Sequence, residues 1–156
     1  MSRIAVFPGS FDPITIGHYD IVQRALPLFD KIVVAIGQNS NKKYLFSLEK
    51  RLHFLDRLFE DEPKVERNAY KGLTTDFCKT ENANYLLRGI RSSADFEYEK
   101  TIAQLNKDLN PAIETVFLMS APQYSHISSS IVREILLNNG KVHQFLPAKI
   151  HEMMVV

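Results

Sequence analysis

Arg3-Ile-Ala-Val-Phe-Pro-Gly-Ser-Phe-Asp-Pro-Ile-Thr-Ile-Gly-His-Tyr19 decides how the rest of the chain is read. Ile4 to Phe7 is an apolar, β-branched run suited to a buried strand, and it stops at a cluster of Pro8, Gly9, Ser10, Asp12 and Pro13. Thr15 can then cap a helix whose apolar positions Ile21, Val22, Ala25 and Phe29 return every three or four residues. Gly17 and His18 fall in its first turn, where backbone N–H groups lack partners and the helix dipole is positive, so an anion is favoured there. Gly17 leaves room for a ligand, and His18 can donate a hydrogen bond to it.

Outward from this stretch, strands and helices alternate. Lys31 to Ile36 is a second apolar strand, Gly37 to Lys43 a polar loop, and Ser47 caps a helix carrying Leu48, Leu52, Leu55 and Phe59. Val65 to Ala69 is a more polar strand; Gly72 ends it, and Thr74 or Thr75 opens a short helix through Phe77 and Cys78. Tyr85 to Leu87 forms a fourth strand, running directly into Arg88-Gly-Ile-Arg91. Ser92 or Ser93 caps the next helix, with Phe96, Ile102, Ala103, Leu105 and Leu109 read as inward. Thr115 to Met119 is a fifth strand, Ser120 to His126 a loop, and Ser128 or Ser129 starts a helix that Asn139-Gly140 closes. Pro147 suits the first turn of a last helix to about Met154. This alternation predicts right-handed crossovers and an α/β fold, a single-domain, Rossmann-like, doubly wound parallel sheet of about five strands over residues 1–156.

Composition narrows the function classes. A net charge of +1 over 156 residues argues against a general nucleic-acid or anionic-membrane surface, so any anion must be bound locally. Cys78 is the only cysteine, which excludes an internal disulfide and suits a reducing compartment. There is no secretory leader pattern and no apolar run of spanning length, so the expected location is the cytoplasm.

In open parallel sheets ligands bind beyond the carboxyl ends of the strands. Ser10 and His18 follow the first strand, Lys42 the second, Thr74 the third, Arg88 and Arg91 the fourth, and Tyr124 to Ser130 the fifth. Five loops thus supply one rim of cations, hydroxyls and helix starts, a chemistry suited to phosphates. Individually these residues have plainer readings: Lys42 beside Lys43 as a solvated loop lysine, Tyr124 to Ser130 as a helix cap, Glu99 as a surface carboxylate or as the anionic partner that Arg88 needs at the end of a buried strand. Neither Gly-x-x-x-x-Gly-Lys nor Gly-x-Gly-x-x-Gly follows a strand, which weakens kinase-type and dinucleotide-redox chemistry. Attack by an already ionised phosphate on the α-phosphorus of ATP fits better, since positioning and charge stabilisation suffice for it.

Phe7-Pro-Gly-Ser-Phe-Asp-Pro-Ile-Thr15 with Gly17-His18 resembles the signature of nucleotidyltransferases that share an ATP-binding motif with class I aminoacyl-tRNA synthetases. Arg88-Gly-Ile-Arg91, Asp95-Phe-Glu-Tyr-Glu99, Asn106 and Tyr124-Ser-His-Ile-Ser-Ser129 follow in order over nearly the whole chain and resemble the bacterial phosphopantetheine adenylyltransferases. The resemblance implies adenylyl transfer from ATP to 4′-phosphopantetheine, giving dephospho-coenzyme A and pyrophosphate in coenzyme A biosynthesis. It implies that Ser10, Phe11, His18, Gly89, Ile90, Arg91, Glu99, Tyr124, Ser125, His126, Ile127, Ser128, Ser129 and Ser130 contact ATP, and that Ser10, Lys42, Thr74 and Arg88 contact the pantetheine substrate. His18, Lys42 and Arg91 are expected to act at the reacting groups. Magnesium assists by the same resemblance, with no metal ligand named in the chain, and the assembly would be a homohexamer. Phe7 stands where the family commonly has Tyr, Ser10 where it has Thr, Ile16 where it has Asn, and His126 where it has Phe or Tyr. Two rival readings remain, another phosphate acceptor such as nicotinamide mononucleotide or glycerol 3-phosphate, and a nucleotide-binding regulatory module without turnover.

Overall fold

The first apolar run extends to Gly9 in a computed structural model that describes residues 1–155, so that β1 spans Ile4–Gly9. It is followed by α1 (Ile16–Ala25), β2 (Lys31–Gln38), α2 (Leu48–Leu58), β3 (Val65–Lys71), α3 (Thr74–Thr80), β4 (Tyr85–Ile90), α4 (Ser93–Leu109), β5 (Glu114–Met119) and α5 (Ser129–Leu137). All strand pairs are parallel, in the order β3-β2-β1-β4-β5, which is the doubly wound α/β arrangement the alternation predicts.

The central strands are buried on both faces, and their side chains alternate between the two as the pleat requires. Ala5, Phe7, Ile32, Val34 and Ile36 face one side, where they meet Ile21 and Val22 of α1, Phe54 and Leu55 of α2 and Val132 of α5. Val6, Val33, Ala35 and Leu86 face the other, against Phe77 and Cys78 of α3 and Ile113. Burial drives the thiol of Cys78 up to about 11, which makes it an inert core group. Side-chain oxygens cap the helices at Thr15, Ser47, Ser92 and Ser128. The short α3 instead begins after Leu73 with no side-chain cap, so Thr74 lies inside it.

Three expectations change. Arg88, Gly89 and Ile90 belong to β4 itself, whose pairing with β5 runs to Ile90↔Met119; the charged residue had looked like a strand end. On α4 only Glu99 is buried, whereas Phe96 (42%), Leu105 (52%) and Leu109 (55%) are exposed, as is Met119 (66%) at the end of β5. The last segment forms 3-10 turns at His143–Phe145 and Ala148–Met153 that bury Ile150, not an α-helix. Among the described residues no helix is long and apolar enough to cross a membrane.

Two features of this fold set the site. First, β1 pairs with β2 along its whole length, from Ile4↔Lys31 to Gly9↔Ile36, but with β4 only at Ala5↔Tyr85 and Val6↔Leu86. The sheet therefore parts beyond Val6, at the point where the chain's winding reverses direction. Second, the carboxylate of Asp12 is buried (2% exposed) and accepts from the backbone N–H groups of Leu45 (2.8 Å) and Phe46 (2.9 Å). Hydrogen bonds to a charged group contribute about 1.5–3 kcal/mol each, enough to fix the β1–α1 turn against the segment that leads into α2.

Candidate active site

The gap between β1 and β4 is filled by Arg88. Its Nη1 donates to the carbonyl of Pro8, while Nε (2.9 Å) and Nη2 (2.6 Å) engage the two oxygens of Glu99. In a strand the N–H and C=O of one residue point to the same side. Pro8 turns its carbonyl to the gap, so the N–H it lacks would have met no strand there. A guanidinium has five N–H groups; three are engaged, which leaves one on Nη1 and one on Nη2 for a ligand.

A cavity of about 310 Å³ opens on one side of this arginine, lined by Ser10, Phe11, Lys42, Gly89 and Arg91 and by His18 of α1. Tyr124 and Ile127 to Ser130 close it from the α5 side. A second cavity, about 440 Å³, lies beyond Ser10, Arg88 and Glu99 and reaches Thr74. Pro8, Gly9, Ser10, Arg88 and Glu99 line both, so the two spaces share one wall. Volumes of this order accommodate small metabolites.

Local geometry around β1 explains how the wall is shaped. Phe11 sits at φ 46, which lays its ring edge-on to His18 at 5.2 Å and over Gly9. A Cβ at Gly9 would meet that ring at 3.0 Å, so any larger residue there would press the ring toward His18. Gly17 is less demanding, because a Cβ would meet Tyr124 at an ordinary 3.7 Å.

His18 is held in one tautomer. The backbone N–H of Thr15 donates to Nδ1 at 3.0 Å, so Nδ1 carries no proton and the ring hydrogen sits on Nε2. Burial lowers its pKa from 6.5 to about 4, and the positive charges of Arg88 and Arg91 add to the effect. The ring keeps some contact with the cavity but little with bulk water. At neutral pH it is an uncharged hydrogen-bond donor and not an acid.

The remaining cations are arranged around it. Lys42 Nζ donates to Ser10 Oγ at 2.9 Å. Arg91 is paired with Asp95 through Nε at 3.2 Å and reaches the Ile127 carbonyl at 3.4 Å. At the start of α5, Ser128 caps the N–H of Ile131, Ser129 Oγ donates to the Pro13 carbonyl at 2.8 Å, and Ser130 Oγ accepts from Arg133 at 3.1 Å. The backbone N–H groups of Ser129 and Ser130 remain as the open donors of a helix start, suited to phosphate.

Most of the sequence-predicted residues thus meet in one place. Thr74 lies in the second cavity, hydrogen-bonded to the Tyr70 hydroxyl at 2.8 Å. Ile90 is buried in β4, and Ser125 and His126 line neither cavity. Glu99 places both oxygens on Arg88 and so holds that arginine. Arg133 was missed by sequence reasoning: it lines the first cavity and ties Ser130 to the Asp12 carbonyl (2.8 Å). Its signal was its place one turn into a helix whose start already pointed to an anion. Tyr70, Tyr98 and Asn39 of the second cavity carried no comparable signal.

The chain matches the family described as cytidylyltransferase-like over residues 6–135. It is 55% identical over 145 residues (93% of this chain, 95% of the relative) to a phosphopantetheine adenylyltransferase of Flavobacterium johnsoniae. Proteins of the same name from Christiangramia forsetii and Cytophaga hutchinsonii are 53% identical over 143 residues (92% and 94% of the two chains) and 49% identical over 150 residues (96% and 100%).

The state of His18 has a measurable consequence. Its folded pKa lies below its unfolded value, so the stability it contributes is present above pH 6.5 and is lost as the pH falls toward 4. Between pH 7 and 4.5 the wild type should lose about 2 kcal/mol more than His18→Gln in urea unfolding. Identical pH slopes for the two proteins would contradict a buried neutral imidazole.

Proposed function

The chain belongs to the cytidylyltransferase-like family and, within it, to the phosphopantetheine adenylyltransferases, and from that membership we propose that it transfers the adenylyl group of ATP to 4′-phosphopantetheine, giving dephospho-coenzyme A and pyrophosphate. The observation that best supports this reading is the wall shared by the two cavities, which contains Arg88 with its two spare N–H groups and Ser10, with Lys42 bonded to the Ser10 hydroxyl and neutral His18 both on the first cavity's side.

In this reading ATP occupies the first cavity, its phosphates held by Arg91, Arg133 and the start of α5, while the acceptor's arm lies along the second cavity toward Thr74. Lys42 and Arg88 hold the acceptor's phosphate. One of its oxygens forms a bond to the α-phosphorus as the bond from that phosphorus to the bridging oxygen breaks, and the electron pair leaves with pyrophosphate. No proton need move, because the attacking phosphate is already ionised, which is why a non-titrating His18 suits the site. Its Nε2–H stabilises charge on the α-phosphate oxygens, and removing one such donor typically costs ~10² to 10³ in kcat. The work is positioning and charge stabilisation.

Magnesium fits as an ion that enters with ATP. Among the described residues no cluster of His, Cys, Asp or Glu forms a cage for it, and the two carboxylates at the cavity, Asp95 and Glu99, are engaged by Arg91 and Arg88. Magnesium bound mainly through substrate phosphates and water needs no such cage, and it supplies neutralising charge on the leaving group.

The acceptor is tested by offering 4′-phosphopantetheine, nicotinamide mononucleotide and glycerol 3-phosphate in turn at constant ATP and following pyrophosphate. Turnover is expected with the first; turnover confined to either of the others refutes the assignment, and none with any of them supports a regulatory module. Copies of the chain are proposed to associate as a homohexamer, in line with the family, through the face of α4 that exposes Tyr98, Leu105 and Leu109. Light scattering of the purified protein should give six times the 17.9 kDa chain mass, and a monomer would overturn it.

A further inference from the structure

Arg51, in the first turns of α2, is 2% exposed, and among the described residues no carboxylate lies within ion-pair distance of it. Burial pulls its pKa below the ordinary value, an effect Asp12 opposes through its charge. A cation so placed is costly unless its N–H groups are used. Two of them are used on backbone carbonyls: Nη1 donates to Ser10, 41 residues away, at 2.8 Å, and Nε to the nearby Phe46 at 3.1 Å. Its guanidinium also lies 4.0 Å from the centroid of the Tyr44 ring.

These contacts bracket Lys42 from two directions. On one side, Arg51 holds the backbone of Ser10, whose hydroxyl receives Lys42 Nζ at 2.9 Å. On the other, the hydroxyl of Tyr44, the ring stacked on Arg51, accepts from the backbone N–H of Asn39 at 3.1 Å, and the Asn39 carbonyl accepts from the backbone N–H of Lys42 at 3.1 Å. Both ends of the Lys42–Ser10 contact are therefore fixed to one buried guanidinium.

We propose that Arg51 is the positioning residue for Lys42, setting where the cation meets the acceptor's phosphate while leaving nucleotide binding to other groups; the acceptor half of this statement rests on the function proposed above. Lysine cannot substitute, because a point charge cannot bond two carbonyls in a fork and stack on a ring at once. Arg51→Lys should lower kcat/KM for 4′-phosphopantetheine by about 10- to 100-fold, the penalty of a misplaced reactant group, while the ATP dissociation constant changes by less than about threefold.

The test pairs these kinetics with a readout that needs no substrate, the acylation rate of Lys42 relative to its neighbour Lys43, followed by mass spectrometry. Arg51→Lys should raise that ratio severalfold as Lys42 is released from Ser10. Tyr44→Phe keeps the stack but drops the bond to Asn39, and should raise the ratio by less; it decides the question if Arg51→Lys does not fold. An unchanged ratio in the folded variant overturns the proposal, as does ATP affinity falling in step with acceptor efficiency. Absence of wild-type turnover on 4′-phosphopantetheine would defeat the functional reading alone, and the labelling ratio would still decide the role of Arg51.

Discussion

The arrangement depends on Arg88 held between Glu99 and the Pro8 carbonyl. Two parallel strands that part leave unpaired backbone groups and a gap, and a half-buried guanidinium needs acceptors; each problem resolves the other. The arginine closes the gap as a wall and not as a plug, because two of its N–H groups are left over. Glu99, the only buried residue of a 17-residue helix, exists in that setting as the counter-charge that makes an arginine tolerable at the switch point.

The cations around the cavity are compensated to different degrees. Arg88 faces Glu99, Arg91 faces Asp95, and Arg133 is spent on the Asp12 carbonyl and Ser130. Lys42 meets the Ser10 hydroxyl and the ring of Tyr44 at 5.8 Å, and among the described residues it has no carboxylate within ion-pair distance. Lys42 and Arg133 therefore keep a positive charge that no carboxylate among the described residues offsets, unlike Arg88 and Arg91. Burial, helped by the positive charges of Arg88 and Arg91, keeps His18 neutral, so a donor that would otherwise titrate near neutrality does not.

Local signals in the sequence were enough for the alternation of elements, the caps at Thr15 and Ser47, the caps at Ser92 and Ser128 to within one residue, and the gathering of polar residues at one edge of the sheet. Long-range pairs were not legible. Asp12 with Phe46 and Arg51 with Ser10 are 34 and 41 residues apart, and nothing near either residue announces its partner. On α4 apolar character alone did not say which way a residue faces: Phe96 and Leu105, about two and a half turns apart, lie on opposite sides of the helix, and the more buried side carries Glu99, Ile102 and Ala103. The end of β4 was set too early because a charged residue usually leaves a buried strand, and Arg88 remains in one only by virtue of Glu99.

In the proposed reaction the acceptor's phosphate, held at the shared wall, reaches the α-phosphorus directly. The stereochemical course at that atom tests it most directly. With ATP made chiral at the α-phosphorus by sulfur substitution and 4′-phosphopantetheine as acceptor, direct in-line transfer predicts inversion of configuration in the product. Retention would mean two displacements through a covalent adenylyl-protein intermediate, and would contradict the account.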